Sequence, residues 1–362
     1  MDIKEYKCPN CGGAVQFDSS TQNMKCPYCD TEFEIAALEE YQKEQAQPAE
    51  DRYDWDKEIN DVQAWDAEQD NLSTGSCPSC GAELLGDQNT IAMVCPCCGN
   101  SQIVSRRLSG VLKPNCIIPF HLEKKAAAEA LKKFYEGKRL LPDSFKKESH
   151  INSIQGVYLP FWLFDAQTQA HIRYKATKIK TWSDANFNYT KTDFYSVIRD
   201  GSIGFEKLPV DGSEKMNDDY MDAIEPFDNK KIKDFQSAFL SGYLAEKYDV
   251  DAEQCKERAG KRMKTTVERE FAKTVSGYSS VQVESSTVNV MGSKINYSLF
   301  PVWVLNAKFK NENYQFIMNG ESGRLVGSLP FDPGKVWKYR ILIAGSLGAI
   351  FTIFIQALRL FL

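Results

Sequence analysis

The sequence has little of what most catalysis rests on. Its three histidines, His121, His150 and His171, are scattered and lack metal-ligand spacing. No GxxxxGK[ST] motif is present, which excludes a P-loop ATPase or helicase, and neither HExxH nor GxSxG occurs. No apolar stretch follows Met1-Asp2-Ile3-Lys4-Glu5, so no export signal is read and the cysteines are expected to stay reduced. A surplus of positive charge is also missing. The net charge is -5, which argues against a chain built mainly to grip phosphates. Carboxylates are plentiful, but nothing pairs them for acid–base work. No reaction is supported, and a non-enzymatic role is expected.

What the chain does have is cysteine, eleven in all. Eight fall into two modules. The first is Cys8-Pro9-Asn10-Cys11-Gly12 with Cys26-Pro27-Tyr28-Cys29-Asp30; the second is Cys77-Pro78-Ser79-Cys80-Gly81 with Cys95-Pro96-Cys97-Cys98-Gly99. In each, 14 residues separate the two CxxC pairs. A CxxC turn offers two thiolates from one knuckle, and zinc takes four in a tetrahedron at about 2.3 Å. Two structural Zn2+ ions are therefore expected, held by Cys8, Cys11, Cys26 and Cys29 and by Cys77, Cys80, Cys95 and Cys98. With four protein ligands each, neither site keeps a position open for catalysis. Glycine after the second cysteine tolerates positive φ, and Asp30 stands at one of these places. Ala14-Val15-Gln16-Phe17 and Ile91-Ala92-Met93-Val94 suit the short strands of a ribbon. Cys97 aligns with Tyr28 and reads as a non-ligand, with exchange for Cys98 as the alternative. Cys116 and Cys255 read as core residues.

Charge is unevenly spread. Asp30 to Ser76 holds 15 Asp/Glu against Lys43, Arg52 and Lys57, a balance of -12 that leaves +7 elsewhere. The expected organisation is a zinc ribbon over 1–35, an acidic, partly helical linker over 36–75, and a second ribbon over 76–107. The linker is read as poorly packed around Trp55 and Trp65. A main α+β domain spans 111–330, and a membrane anchor spans 338–362. Both ribbons are nearly neutral, which argues against nucleic acid and in favour of a protein partner.

The main domain reads as internally duplicated, with repeats over about 111–205 and 220–330. Ile118-Pro119-Phe120 is matched with Glu225-Pro226-Phe227, and Leu159 to Ala166 with Phe300 to Ala307. Helices are expected over Glu123 to Glu136 and Asp251 to Lys273, and strands over Gln169 to Thr181 and Val281 to Val290. The Trp162 and Trp303 strands suit core packing, or otherwise a ligand groove between the repeats. Both helices carry basic runs, Lys124 to Arg139 and Lys256 to Arg269, which fit either a solvated face or one turned toward anionic lipid.

Ile341 to Leu358 contains no charged residue and would span about 27 Å as a helix, close to a bilayer core of about 30 Å. Lys335, Lys338 and Arg340 precede it, and only Arg359 follows, which keeps the upstream bulk in the cytoplasm. Gly345, Ser346 and Gly348 would let a second helix, of the same or another chain, pack closely.

These features resemble a family of bacterial membrane-anchored double zinc-ribbon proteins, of the transcription-factor-B zinc-ribbon type. Tyr158-Leu159-Pro160-Phe161-Trp162, Leu208-Pro209-Val210-Asp211-Gly212-Ser213, Pro226-Phe227-Asp228 and Met318-Asn319-Gly320-Glu321-Ser322-Gly323 carry the resemblance with the ribbons and tail. Such proteins are neighbours of phage-shock-type and SPFH, flotillin-like proteins. The resemblance implies a single-pass adaptor that recruits cytoplasmic proteins to the cell membrane in an envelope-stress setting. The alternative is a membrane-tethered nucleic-acid-binding or transcription-related protein.

Overall fold

The chain is a mixed α+β protein with two four-cysteine clusters near its N-terminus and one apolar C-terminal helix. The computed structural model describes residues 6–45, 50–55, 64–65, 72–87, 94–105, 111–151, 153–310 and 312–361. Ile91 to Met93 and most of 56–71 lie outside these residues, and so do the side chains of 357–361.

The first cysteine module contributes β1 (Gln16–Asp18), β2 (Asn23–Lys25), β3 (Glu32–Phe33) and α1 (Ile35–Gln45). Then follow β4 (Arg52–Trp55), β5 (Ser73–Ser76), β6 (Glu83–Gly86), β7 (Val104–Ser105), β8 (Cys116–Ile117), α2 (Lys124–Tyr135) and α3 (Glu148–Ile151). Next are β9 (Gln155–Ser183), β10 (Asn188–Asp211), α4 (Asp218–Ala223), β11 (Lys233–Asp234) and β12 (Leu244–Glu246). The last are α5 (Ala252–Lys273), β13 (Ser280–Phe309), β14 (Glu312–Asn319), β15 (Leu325–Gly327) and α6 (Pro333–Phe361).

Local chemistry accounts for the helices. In α2 the buried side chains Ala127, Leu131 and Tyr135 recur every fourth residue, one face of a 3.6-residue period. At the start of α5, Asp251 Oδ1 accepts from Gln254 N at 2.9 Å while Gln254 Oε1 accepts from Asp251 N at 3.0 Å. This reciprocal cap satisfies two otherwise orphaned donors. Pro333 opens α6, where its missing N–H costs nothing, and Asp332 Oδ1 accepts from Gly334 N at 2.9 Å.

The chain divides into two compact units, each assembled from three segments. Unit 1 comprises Met1–Asp54, Gln167–Gly204 and Gly260–Met291; unit 2 comprises Trp55–Ala166, Phe205–Ala259 and Gly292–Leu362. In unit 1, β1, β2 and β3 form a small antiparallel sheet, and Leu38 of α1 packs with Cys8, Val15 and Cys26. Residues 50–54 of the acidic stretch belong to this unit as well. Asp51 pairs with Lys264 at 2.6 Å and accepts from Val288 N at 3.0 Å.

Among the described residues, the large sheet runs β11-β8-β13-β9-β12-β6-β5-β7, with β14 paired to β13 and β15 to β14. Within unit 2 the strands of β9 and β13 are buried on both faces. Leu159, Phe161, Phe300 and Val302 meet in one core cluster, while Trp303 and Leu305 join Ala127 and Leu131 of α2 in another. Trp55 packs edge-on against Phe164 at 5.3 Å, and Trp65 against Phe235 at 5.3 Å. Both tryptophans are half-buried, and most of the stretch expected to be poorly packed around them lies outside the described residues.

Two stretches of unit 2 make the same contacts with partners exchanged. Trp162 Nε1 donates to Val250 O at 2.9 Å, just ahead of α5, and Trp303 Nε1 donates to Leu122 O at 3.2 Å, just ahead of α2. Gly212 N donates to Pro160 O at 2.9 Å, and Gly320 N donates to Pro301 O at 2.8 Å. Gly212 O accepts from Asp249 N and Val250 N; Gly320 O accepts from His121 N and Leu122 N. β12 runs parallel to β9 with Ala245 opposite Tyr158, and β8 runs parallel to β13 with Ile117 opposite Leu299. The position reciprocal to Ile117 is thus Ala245. Phe227, matched with Phe120 by sequence, lies instead against Phe161 and Phe300.

Candidate metal centres

Each CxxC turn is built the same way. The amide after its second cysteine donates to the carbonyl of the first: Gly12 to Cys8, Asp30 to Cys26, Gly81 to Cys77 and Gly99 to Cys95, at 2.8 to 2.9 Å. The amide of the first cysteine in turn donates to the carbonyl five residues on, at 2.7 to 3.0 Å. Closing the turn this way needs a left-handed residue after the second cysteine. Gly12, Gly81 and Gly99 have φ of 76°, 76° and 74°, and Asp30 has φ of 56°.

The turns bring the sulfurs together in two groups. Cys8, Cys11, Cys26 and Cys29 form one; Cys77, Cys80, Cys95 and Cys98 form the other. Within each group all four Sγ atoms lie within 4.8 Å of one another. The Sγ–Sγ separations are 3.6 Å for Cys8–Cys29, 3.5 Å for Cys11–Cys26, 3.6 Å for Cys77–Cys98 and 3.7 Å for Cys80–Cys95. A tetrahedron with bonds of about 2.3 Å has edges of about 3.8 Å, so both groups fit Zn2+ in donor type and spacing.

The protons on these thiols are unevenly held. Thr31 Oγ1, 3.1 Å from Cys29, favours that thiolate and pulls it down to about 6. Burial pushes Cys8 and Cys98 up to about 12. Cys97 is not among the four sulfurs of the second group. Its side chain hydrogen-bonds to Cys80 and Cys95, pulling them down to about 4 and about 6. Its backbone is fixed by the sheet: Asn306 Nδ2 donates to Pro96 O at 2.6 Å and Gln315 Nε2 donates to Cys97 O at 3.3 Å. The second module is joined to unit 2 at its other side too, where β6 pairs with β12 and Lys247 bridges Glu83 at 2.7 Å.

Two buried carboxyls beside this module escaped the sequence reading. Glu246 Oε1 accepts from Ser213 Oγ at 3.0 Å, and Asp211 Oδ1 accepts from Ser213 N at 3.1 Å. Among the described residues Glu246 Oε2 and Asp211 Oδ2 have no hydrogen bond of ordinary geometry, although the Cys97 side chain lies beside Glu246. Burial pushes both groups up to about 8. The Asp-Gly pair of the Leu208–Ser213 motif was the available signal, and its burial could not be read from the sequence.

The first module sits on the strands of unit 1. Lys175 Nζ donates to Pro9 O at 3.1 Å and to Asn10 Oδ1 at 3.3 Å. Arg173 pairs with Glu284 at 3.0 Å, and Tyr41 donates to the same carboxylate. Asn10, Phe33, Lys175, Phe194 and Tyr195 line a cleft there. Beyond it, the β9–β10 hairpin is exposed on both faces from Lys178 to Asn188. Trp182 stacks on Tyr189 at 5.5 Å and stays 52% exposed, and Phe187 is 65% exposed.

The histidines form no constellation. His171 pairs with exposed Asp200 at 2.6 Å, while His150 lies against Phe145 and burial lowers its pKa. Trp162 and Trp303 are both core residues. In α6 the stretch from Ile341, the first expected anchor end, is exposed all round: Ile343, Leu347, Phe351 and Ile353 are each more than half exposed. Residues Pro333–Gln356 are long and apolar enough to cross a membrane, and Leu358, the other expected end, still lies in the helix.

No protein-family model matches the chain, and no solved structure does. The chain is 34% identical over 344 residues to YdjG, an uncharacterized protein of Bacillus subtilis (strain 168), and the match covers 95% of either chain. Identity at that level along nearly the whole length leaves one conclusion: the chain belongs to the same family as YdjG.

Proposed function

We propose that the protein is a non-enzymatic, single-pass membrane adaptor that holds two zinc ions and recruits cytoplasmic proteins to the bilayer. The observation that carries the anchor is the uncovered apolar run of α6. A helix that is apolar all round and unburied by its own protein is stable only in an apolar surrounding. Lys335, Lys338 and Arg340 upstream favour a cytoplasmic bulk.

Two closed four-thiolate sites support a structural rather than a catalytic use of zinc. The exposed aromatic side chains of the β9–β10 hairpin, next to the first cysteine module in unit 1, support a protein-docking surface. Clustered exposed apolar groups of this kind mark interaction sites. The reciprocal bonding of the Trp162 and Trp303 strands supports an internal duplication of the main domain, with one copy running from β8 to β10 and the other from β12 to β14. The resemblance to double zinc-ribbon proteins supports an envelope-stress setting with SPFH-type or phage-shock-type partners.

The test is an in-cell crosslinking pull-down with three chains: wild type, Cys26→Ser/Cys29→Ser, and Trp182→Ser/Phe187→Ser. A membrane-stress protein enriched by the wild type and lost with either variant supports the adaptor. Polymerase components or nucleic acid in its place would favour the transcription-related alternative. Identical profiles for all three chains would sink recruitment through unit 1.

A further inference from the structure

The first turn of α6 is tied to unit 2 through the segment between α2 and α3. Asp332 N donates to Leu140 O at 2.9 Å, and Lys335 Nζ donates to Leu141 O at 2.8 Å. Lys335 also pairs with Asp143 at 2.5 Å. The segment 138–147 therefore lies beside the start of the helix.

This segment carries Lys138, Arg139, Lys146 and Lys147, all exposed. Its one acidic residue, Asp143, is taken by Lys335. Glu136 and Glu148 flank it, yet among the described residues none of the four cations forms an ion pair. Lys138 only approaches the Phe134 ring, at 6.0 Å.

The basic run of α5 is different. Arg258 pairs with Asp218 and Asp222, Lys256 with Glu253, Lys264 with Asp51, and Lys273 with Glu270. The segment next to α6 takes Lys138 and Arg139 from the end of the first basic run and adds Lys146 and Lys147, and among the described residues it keeps these cations out of ion pairs.

Distance supplies the ligand. Lys335 lies six residues before Ile341, about 9 Å along the helix. With the apolar run in the hydrocarbon, that places the segment in or just outside the headgroup layer, which is some 5–8 Å deep on each side. It is also within a Debye length, about 8 Å at physiological salt. Lys338 and Arg340 bring two more cations, and Trp337, 64% exposed, suits the interface.

We propose that residues 138–147, with Lys338 and Arg340, form a cationic collar that binds the phosphate headgroups of anionic lipids. The collar rests on the reading of α6 as a membrane anchor. It would give the protein a preference for anionic membrane regions as well as a means of staying attached.

The test uses the full chain reconstituted in vesicles that contain spin-labelled phosphatidylglycerol or phosphatidylcholine. Electron spin resonance then measures the lipid held at the protein surface. Phosphatidylglycerol should be favoured at least about threefold. The preference should vanish at about 1 M salt, where the Debye length is about 3 Å. It should also drop clearly in Lys138→Gln/Arg139→Gln/Lys146→Gln/Lys147→Gln, which leaves only Lys338 and Arg340 of the collar, but survive unchanged in Lys256→Gln/Lys273→Gln. Equal retention of both lipids by the wild type, or a preference that the fourfold variant keeps undiminished, would overturn the collar. In either of those cases a restricted lipid fraction is still seen, so the anchor stands. If alkaline carbonate strips the chain from the vesicles and no restricted fraction appears, the anchor fails and the collar with it.

Discussion

Four backbone positions close the four cysteine turns, and they differ in cost. A non-glycine residue in the left-handed region pays roughly 1–2 kcal/mol, less for Asp, whose short side chain bonds locally. Asp30 occupies such a position with φ of 56°. Asp30→Gly is expected to leave the first centre intact or to stabilise it by up to about 1 kcal/mol. Gly81 has open space where a Cβ would be, so Gly81→Ala should cost about 1–2 kcal/mol from backbone strain alone. Thermal unfolding with zinc present checks both substitutions. The buried carboxyls make a second prediction at this scale. Asp211 and Glu246 are pushed up to about 8 by burial, so the folded chain keeps two protons that the unfolded chain releases near pH 4. Stability is therefore greatest at low pH with respect to these groups and is lost as pH rises toward 8. The melting temperature should fall between pH 5 and pH 8, and Glu246→Gln should flatten that fall. A variant curve parallel to the wild type would show that Glu246 ionises freely in the fold.

Among the elements, Trp162 and Trp303 do the same work for different helices. Each indole N–H satisfies a carbonyl just ahead of a helix, Val250 O for α5 and Leu122 O for α2. Phenylalanine at either position removes the donor and leaves that carbonyl unpaired, at about 1–3 kcal/mol. Similar losses are expected for Trp162→Phe and Trp303→Phe by denaturant unfolding. A loss confined to one would contradict their equivalence. The helices themselves were legible in the sequence. Periodic apolar residues place α2 and α5 within a residue or two of their observed ends, because a helical face is written locally. The cysteine knuckles were legible for the same reason, since spacing and the following glycine, or Asp30 in its place, fix each turn. Strand pairing was not legible. β12 is three residues long, and its partners β6 and β9 are set by contacts far along the chain. The tetrapeptides of β5 and β6 carry no mark that they join a large sheet. Pro226-Phe227 looked like the partner of Pro119-Phe120 because a short motif says nothing about pairing.

For the whole molecule, the two cysteine modules belong to different units, so a metal bound by each should matter to a different part of the fold. The first module lies in unit 1, with Leu38 and Lys175 as its neighbours. The second is continuous with the sheet of unit 2 through β5 and β6. Zinc binding is folding free energy for a module of this size, so losing two thiolates should unfold the module that held them. Unfolding the second module would remove the Asn306–Pro96, Gln315–Cys97 and Lys247–Glu83 bonds at the least. At about 1 kcal/mol each, that is about 3 kcal/mol from unit 2, roughly a hundredfold in the opening equilibrium of neighbouring amides. Hydrogen exchange on the full chain in detergent tests this. Cys77→Ser/Cys80→Ser should speed exchange in β12 and in the Val157–Leu163 part of β9. Cys8→Ser/Cys11→Ser should leave those amides protected while exposing β1, β2 and α1. If both variants deprotect β12 alike, the modules are coupled. If neither does, the sheet of unit 2 stands without its zinc module, and the β6–β12 pairing contributes little to its stability.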